Sequence, residues 1–142
     1  MAVPKSVVKL RTKSGQCTVE FTDSVDKTVY YMNELINAAL RDTGKYITKV
    51  AKTLIRKRTG RLAKNIQYWN RKKDQNLQVG IKPGGWYGMY QEFGSEHIPR
   101  VGAIEHSAKD NIDTIRKIQA QYLSALNSEA AASAKIGGDN EE

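Results

Sequence analysis

A run of apolar residues between positions 25 and 54 recurs with the period of an α-helix, and this run constrains the fold more than any other feature. Its members are three or four residues apart, about 3.6 on average, so they share one helical face. The run predicts a helix from Ser24 to Lys57 that is about 50 Å long, whereas a domain of this size is only about 40 Å across. The helix must therefore bend, with Thr43-Gly44 as the candidate bend, or protrude. The predicted core face comprises Val25, Val29, Met32, Ile36, Leu40, Thr43, Ile47, Val50 and Leu54.

Alternating and helical patterns define the other elements. Residues Val7 to Phe21 alternate around a Thr-Lys-Ser-Gly turn and predict a β-hairpin. Residues Ile66 to Ile81 predict a second hairpin with a strongly basic tip, and Trp86 to Phe93 a short helix. A second apolar face with helical period runs from Ile104 to Leu126. These elements predict an α+β fold in which two long helices pack on a small antiparallel sheet built from the β-hairpins.

Length and composition indicate one domain. The chain has 142 residues, and we expect a single α+β domain over residues 1–127, followed by a flexible C-terminal tail over 128–142 that is rich in Ala, Gly and acidic residues. The single Cys17 has no partner for a disulfide and is expected to be half-buried in a strand. No apolar run is long enough to span a bilayer, so no membrane partner is expected.

The positive charge of the chain is concentrated in its middle third. The net charge is +8, and residues 41–73 contain twelve Lys or Arg residues against Asp42 alone. Five of these cations share one helical face, although like charges four residues apart cost a few tenths of a kcal/mol per pair. The stripe is either a solvated outer face or a surface for DNA phosphates or an acidic protein. The candidate basic surface comprises Arg41, Lys45, Lys49, Lys52, Arg56, Arg71, Lys72 and Lys73.

Four aromatic residues and a Met lie between Gly85 and Gly94. They either close the core or pack across a subunit boundary, where aromatic residues and Met are enriched. We expect Phe93 to anchor the short helix to the core, and the polar loop from Gly94 to Gly102 to be mobile until it meets a neighbour. Tyr87 is offset from the Trp86, Tyr90 and Phe93 face. The candidate interface comprises Trp86, Tyr87, Tyr90, Glu96 and His97.

No group of residues predicts catalysis. His97 and His106 each follow a glutamate, but they are nine residues apart, on a loop and early in a helix. A metal or acid–base site needs converging ligands, and no phosphate-binding glycine loop is present. The sequence therefore predicts a protein without enzymatic activity, metal or other cofactor.

Two segments together resemble a known family. They are Thr59-Gly60-Arg61-Leu62-Ala63-Lys64-Asn65-Ile66 and Gly85-Trp86-Tyr87-Gly88-Met89-Tyr90-Gln91-Glu92-Phe93-Gly94-Ser95. In order and spacing they resemble the small head–tail joining and tail-completion proteins of long-tailed bacteriophages, with a match from about Thr22 to Leu126. The sequence departs from that pattern after Glu96, where Ile98-Pro99-Arg100-Val101-Gly102 replaces the usual entry to the last helix.

The resemblance implies a structural virion protein that assembles in the host cytoplasm. It implies a ring, commonly sixfold, at the head–tail junction, which joins the tail tube or tail terminator protein to the head connector. Two alternatives stay open: a sequence-independent DNA-binding protein that uses residues 41–73, and a capsid-lattice or tail-sheath accessory without a ring of its own.

Overall fold

The computed structural model describes residues 7–11, 18–22, 25–56 and 60–137, and it confirms the α+β class. The strands are β1 (Val7–Arg11), β2 (Thr18–Thr22), β3 (Ile66–Arg71) and β4 (Asn76–Ile81). The helices are α1 (Val25–Leu54), α2 (Arg61–Asn65), α3 (Gly88–Phe93), α4 (Ala103–Lys109), α5 (Ile112–Ser124) and α6 (Glu129–Gly137). Some sequence predictions lie outside the described residues: the first hairpin's turn, Cys17, and the helix bounds at Ser24 and Lys57.

Helix α1 is continuous over 30 residues, about 45 Å at the usual rise per residue. Its first half packs against α5 and α6, and its second half packs against β3, β4 and α4. The predicted core face is therefore only partly correct. Thr43 and Ile47 are buried, but Val29, Met32 and Leu54 are exposed, because the covering elements lie on different sides of the two halves of the helix.

Gly44 is a contact point rather than a break in the helix. It is buried inside α1, and a Cβ atom there would lie 2.7 Å from Cδ2 of Tyr68 and 2.8 Å from Cδ1 of Leu77. The second hairpin therefore approaches α1 as closely as it does because position 44 has no side chain. Along the same side of α1, Asn70 donates to the carbonyl oxygen of Asn37 at 3.0 Å.

The strands form two separate antiparallel pairs instead of one sheet, with β1 paired to β2 and β3 paired to β4. The predicted second long helix is also divided, since α4 ends at Lys109 and α5 begins at Ile112. Asn111 lies in the break, where its Nδ2 donates to the carbonyl oxygen of Ser107 and its Oδ1 accepts from the hydroxyl of Tyr46 at 2.9 Å. The structure thus has one long helix and several shorter ones.

Two hydrophobic clusters lie along α1, one near its middle and one at its C-terminal end. The first joins α1 to α5 and α6 and is rich in alanine; its buried members are Leu35, Ala38, Ala39, Tyr122, Ala125 and Ala132. The second joins the end of α1 to α2, β3 and α4 through Ala51, Ile55, Leu62, Ile66 and Ala103. The segment expected to be a flexible tail from residue 128 onwards thus begins with a helix, α6, whose Ala132 is buried.

Candidate assembly surfaces

Helix α3 and the turn before it present a group of large apolar side chains to solvent. Trp86, Met89, Tyr90 and Phe93, which we call the aromatic patch, are 65%, 59%, 47% and 72% exposed. The rings of Trp86 and Tyr90 meet edge to face, with centroids 6.1 Å apart. Exposed apolar groups of this size and continuity mark interaction sites on soluble proteins.

Two glycines and one tyrosine hold α3 against the second cluster. A Cβ atom on Gly88 would lie 2.6 Å from Cδ1 of Leu62, and one on Gly85 would lie 2.8 Å from Cγ2 of Ile81. Between them, Tyr87 is half-buried and packs on the cluster. The predicted core anchor was therefore wrong: Tyr87 packs inward and Phe93 points outward.

Glu92 fixes the end of α3 to the start of α4, a role that the sequence reasoning missed. Its carboxylate accepts from the backbone N–H of Ile104 at 3.1 Å and of Glu105 at 3.0 Å. The residue at the N-cap position of α4 is Gly102, which has no side chain to accept these bonds. Glu92 supplies the side-chain acceptor instead, and its carboxylate also complements the positive end of the helix.

The loop between α3 and α4 is held at both ends. Val101 donates its backbone N–H to the carbonyl oxygen of Gln91 at 2.7 Å, and Ser95 and Ile98 exchange backbone hydrogen bonds across a tight turn. The loop therefore has internal order that the sequence did not predict. Glu96 and His97 form the exposed tip of that turn.

Side chains at the base of the loop form an ion-pair group. The carboxylate of Glu105 binds Arg100 and Lys109. The hydrogen bond from Lys109 and the charge of Arg100 lower the pKa of Glu105 below its ordinary value. These pairs join the loop to the first turns of α4.

A second exposed apolar surface lies at the other end of α1. Val29 and Met32 on α1 and Leu123 on α5, which we call the helical patch, are 49%, 41% and 58% exposed. Met32 and Leu123 border a groove of about 150 Å³ between α1 and α5, which is also lined by Leu35, Ile36, Ala39, Leu40, Gln119, Tyr122 and Leu126. The sequence predicted these α1 residues to face the core, so it gave no indication of this surface.

The candidate basic residues divide into two groups. Lys45, Lys49 and Arg56 are exposed, and Lys52 is half-buried, along the second half of α1 and just beyond it. Arg41 instead shares a groove with Lys72 and Lys73, which belong to the turn between β3 and β4. Arg71 is exposed at the end of β3. Arg41, one helical turn before Lys45 on α1, thus lies beside the tip of the β3–β4 hairpin.

Residues 19–94 match the model of a family described as "Bacteriophage HK97-gp10, putative tail-component". The match covers 76 of the 142 residues, from 19 to 94 inclusive, which is more than half of the chain. The chain belongs to this family of bacteriophage tail components. No curated protein and no solved structure matches it.

The residues that match the family include the elements that carry the aromatic patch and the α1 part of the helical patch. The match spans α1, the β3–β4 hairpin and the whole of α3, and it ends at Gly94, before the Glu96–His97 turn. The aromatic patch and the α1 side of the helical patch are thus within the segment that defines the tail-component family. Leu123 and α6 lie outside it.

The two histidines of this tail component have different surroundings. His97 is exposed in its turn, and Nδ1 of His106 lies 3.3 Å from Oδ2 of Asp110. Across residues 7–11, 18–22, 25–56 and 60–137, no three His, Cys, Asp or Glu side chains lie close enough to hold a metal ion. Within the same ranges, no helix has the length and apolar character to cross a membrane.

Proposed function

We propose that this tail component assembles head to tail into a closed ring, through contact of the aromatic patch of one subunit with the helical patch of the next. The observation that supports the ring is the presence of two different exposed apolar surfaces at opposite ends of α1. Contact between two different patches is heterologous, and a heterologous contact repeats around a ring when the rotation closes. An exposed self-complementary patch would have favoured a twofold dimer instead.

The separation of the two patches favours this arrangement over contact within one chain. The aromatic patch is held on the cluster that includes Ala51, and the helical patch is centred on Met32. Nineteen residues of helix separate these two positions, or about 28 Å at 1.5 Å per residue. In the folded chain the residues of both patches are exposed, so neither patch covers the other within one chain.

The surroundings of the aromatic patch give each candidate interface residue a role. Trp86 and Tyr90 supply the large apolar contact, which is the typical content of an interface centre. Tyr87 supports the patch from inside. Glu96 and His97 are exposed beyond the apolar area, as expected for a polar rim. Met89 and Phe93, the other two members of the patch, border a groove of about 410 Å³ that can receive side chains from a neighbour.

The resemblance to tail-completion proteins supplies the setting of the ring. We propose a hexamer at the head–tail junction, where one face contacts the head connector and the other contacts the tail tube or the tail terminator protein. The role is structural, without catalysis or cofactor, and the protein is part of the virion after assembly in the host cytoplasm.

Native mass spectrometry over a range of protein concentrations tests the ring. The wild-type chain should form a closed oligomer of one size. The double variants Trp86→Ser/Phe93→Ser and Val29→Ser/Met32→Ser should each remain monomeric, because each removes one side of every contact. Leu54→Ser is the matched control, since Leu54 is exposed on α1 outside both patches. A ring that survives both double variants would contradict the proposal.

The second candidate function is sequence-independent DNA binding by residues 41–73. The charge of this segment supports it, and so does the grouping of Arg41, Lys72 and Lys73 in one groove. Binding to phosphates releases counterions, so affinity should fall linearly with the logarithm of the salt concentration. Lys45→Gln/Lys49→Gln should reduce that slope by about two, whereas Lys109→Gln/Lys117→Gln, the control, should leave it unchanged. Equal slopes for all three proteins would exclude this surface as a DNA site.

A further inference from the structure

The groove between α1 and α5, which we call the α1–α5 groove, has the size and lining of a site for one apolar ring. Its volume is about 150 Å³, and an apolar cavity of about that volume binds benzene. Its lining is apolar apart from the amide of Gln119 and the hydroxyl of Tyr122, which already donates to Asp42. The groove therefore offers many contacts to an apolar ring and few partners to a polar group.

Phe93 is the member of the aromatic patch that suits this groove. It is 72% exposed, more than the other three members. Its ring has no polar atom, whereas the hydroxyl of Tyr90 and the indole N–H of Trp86 need hydrogen-bond partners when they are buried. Trp86 and Tyr90 also pack on each other, with ring centroids 6.1 Å apart. Phe93 can therefore enter an apolar groove without leaving a polar atom unpaired.

Opposite charges lie beside Phe93 and beside the groove. Glu96 is exposed three residues beyond Phe93, a span of at most about 10 Å. Arg116 is exposed on α5, seven residues before Leu123, so it lies on the same face of α5 about 10 Å away. In the part of the chain that the structure describes, neither Glu96 nor Arg116 has an ion-pair partner. A second copy whose Phe93 occupies the groove can thus bring its Glu96 to Arg116.

We propose that Phe93 of one subunit inserts its ring into the α1–α5 groove of the next subunit, and that Glu96 pairs with Arg116 across the same contact. This inference rests on the proposed ring and names the side chains that join its two patches. The occupant of the groove is a second copy of this chain. The ring of Phe93 supplies most of the affinity, and the charged pair fixes the orientation of the contact.

A single contact between two assembly-deficient chains measures the insertion without the ring. The groove chain carries Trp86→Ser/Phe93→Ser, and the ring-donor chain carries Val29→Ser/Met32→Ser. Isothermal titration calorimetry gives the Kd of their complex. A further Phe93→Ala in the ring-donor chain should weaken binding at least about thirtyfold, as expected for an interface hot spot. Met89→Ala, at a patch residue that is 59% exposed, is the matched control and should weaken binding about fivefold or less.

The outcomes separate the insertion from the ring. A large loss for Phe93→Ala and a small loss for Met89→Ala support the insertion. Equal losses for the two variants would overturn the insertion of Phe93 and leave the contact between the two patches standing. The absence of any binding between the two starting chains would contradict the proposed ring and the insertion together.

Benzene is the probe for the groove itself. In the groove chain, which should be monomeric, benzene should shift the methyl resonances of Leu35 and Ile36, which line the groove. The methyl groups of Ile55 and Leu62, in the second cluster, are the internal control and should not shift. Benzene should also compete with the ring-donor chain. Binding of that chain that is unaffected by saturating benzene would show that no ring enters the groove.

Charge reversal tests the pair between Glu96 and Arg116. Glu96→Lys in the ring-donor chain and Arg116→Glu in the groove chain should each weaken binding about fivefold. The two changes together should return the Kd to within about twofold of its starting value. Lys117→Glu is the control, because Lys117 is exposed on a different face of α5 from Leu123, and it should not compensate for Glu96→Lys. Equal compensation by Arg116→Glu and Lys117→Glu would overturn the specific pair.

Discussion

The two halves of α1 have different coverage in the folded chain. The second half is enclosed by the β3–β4 hairpin and α4, and glycine at position 44 lets the hairpin approach closely. The first half packs on α5 and α6 through a cluster in which four of the six buried members are alanine, and beside that cluster the helical patch is exposed to solvent. Burial within the chain is thus more complete along the second half of α1 than along the first. In the proposed ring, a neighbouring subunit completes the packing at the exposed end.

The largest losses of stability should come from substitutions in the two hydrophobic clusters that pack on α1. Ile66 and Leu35 are 0% and 2% exposed, so Ile66→Ala and Leu35→Ala should each lower the free energy of unfolding by about 2–5 kcal/mol. Leu54→Ala, at an exposed site on α1, should cost under about 1 kcal/mol. Urea denaturation at concentrations where the chain is monomeric measures all three. A small effect of Leu35→Ala alone would mean that the first cluster contributes little to the fold.

The next largest loss of stability should come from Glu92, which binds α4 beside the more enclosed half of α1. Glu92→Ala removes the acceptor for two backbone N–H groups of α4 and should cost about 1–2 kcal/mol. Glu92→Gln keeps an oxygen acceptor and should cost less. The exposed Glu96→Ala is the control and should lie within about 0.5 kcal/mol of the wild type. Thermal unfolding followed by circular dichroism ranks the three variants by their loss of stability. Equal losses for Glu92→Ala and Glu96→Ala would contradict the capping role of Glu92.

Gly44→Ala should have a smaller net cost. The new Cβ would overlap the Tyr68 ring, and overpacking costs about 1–3 kcal/mol. Alanine regains up to about 1 kcal/mol of helix propensity, which leaves a net loss of about 1 kcal/mol. Gly84→Ala is the control, because a Cβ there would lie 3.6 Å from its nearest neighbour, an ordinary contact. A stabilised Gly44→Ala protein would mean that the hairpin can move away from α1 at little cost.

A still smaller effect on stability should appear at acid pH, where the carboxylate of Glu105 becomes protonated. Its pKa is lower in the folded chain than in the unfolded chain, because Lys109 and Arg100 favour the carboxylate. The contribution to stability is therefore complete above the unfolded pKa and is lost as the pH falls through the folded pKa. Glu105→Gln should remove this part of the acid dependence of α4, as followed by amide exchange at residues 103–109. An unchanged acid profile would show that the ion pairs are too solvated to contribute.

The smallest change in subunit stability should come from the aromatic patch. Phe93 is 72% exposed, so Phe93→Ala should alter the free energy of unfolding of the monomer by about 0.5 kcal/mol or less. Assembly should be strongly impaired, because truncating an interface hot spot costs about 2 kcal/mol or more per contact. Tyr87→Ala is the informative companion, since Tyr87 packs inward and should reduce both stability and assembly. A loss of several kcal/mol in the Phe93→Ala monomer would restore Phe93 to the core.

The sequence predicted the elements better than their packing partners. The 3.6-residue period located α1, and alternation located both hairpins, because these patterns reflect backbone geometry. Periodicity alone does not show what covers a face, so the exposed Val29 and Met32 were assigned to the core. On α3, the i, i+4, i+7 spacing suggested that Phe93 anchors the helix to the core, but the close contacts at Gly85 and Gly88 turn Tyr87 inward instead. Glu92 acts through a residue twelve positions away in sequence, Ile104, and no local pattern reveals such a contact.

Mixing two assembly-deficient variants tests the ring most directly. Trp86→Ser/Phe93→Ser retains a normal helical patch, and Val29→Ser/Met32→Ser retains a normal aromatic patch. Each should be monomeric alone, and an equimolar mixture should form a one-to-one dimer that grows no further, because only one contact between intact patches is available. Analytical ultracentrifugation measures this outcome. If either variant forms dimers alone, or if the mixture stays monomeric, the two patches do not bind each other and the head-to-tail ring is contradicted.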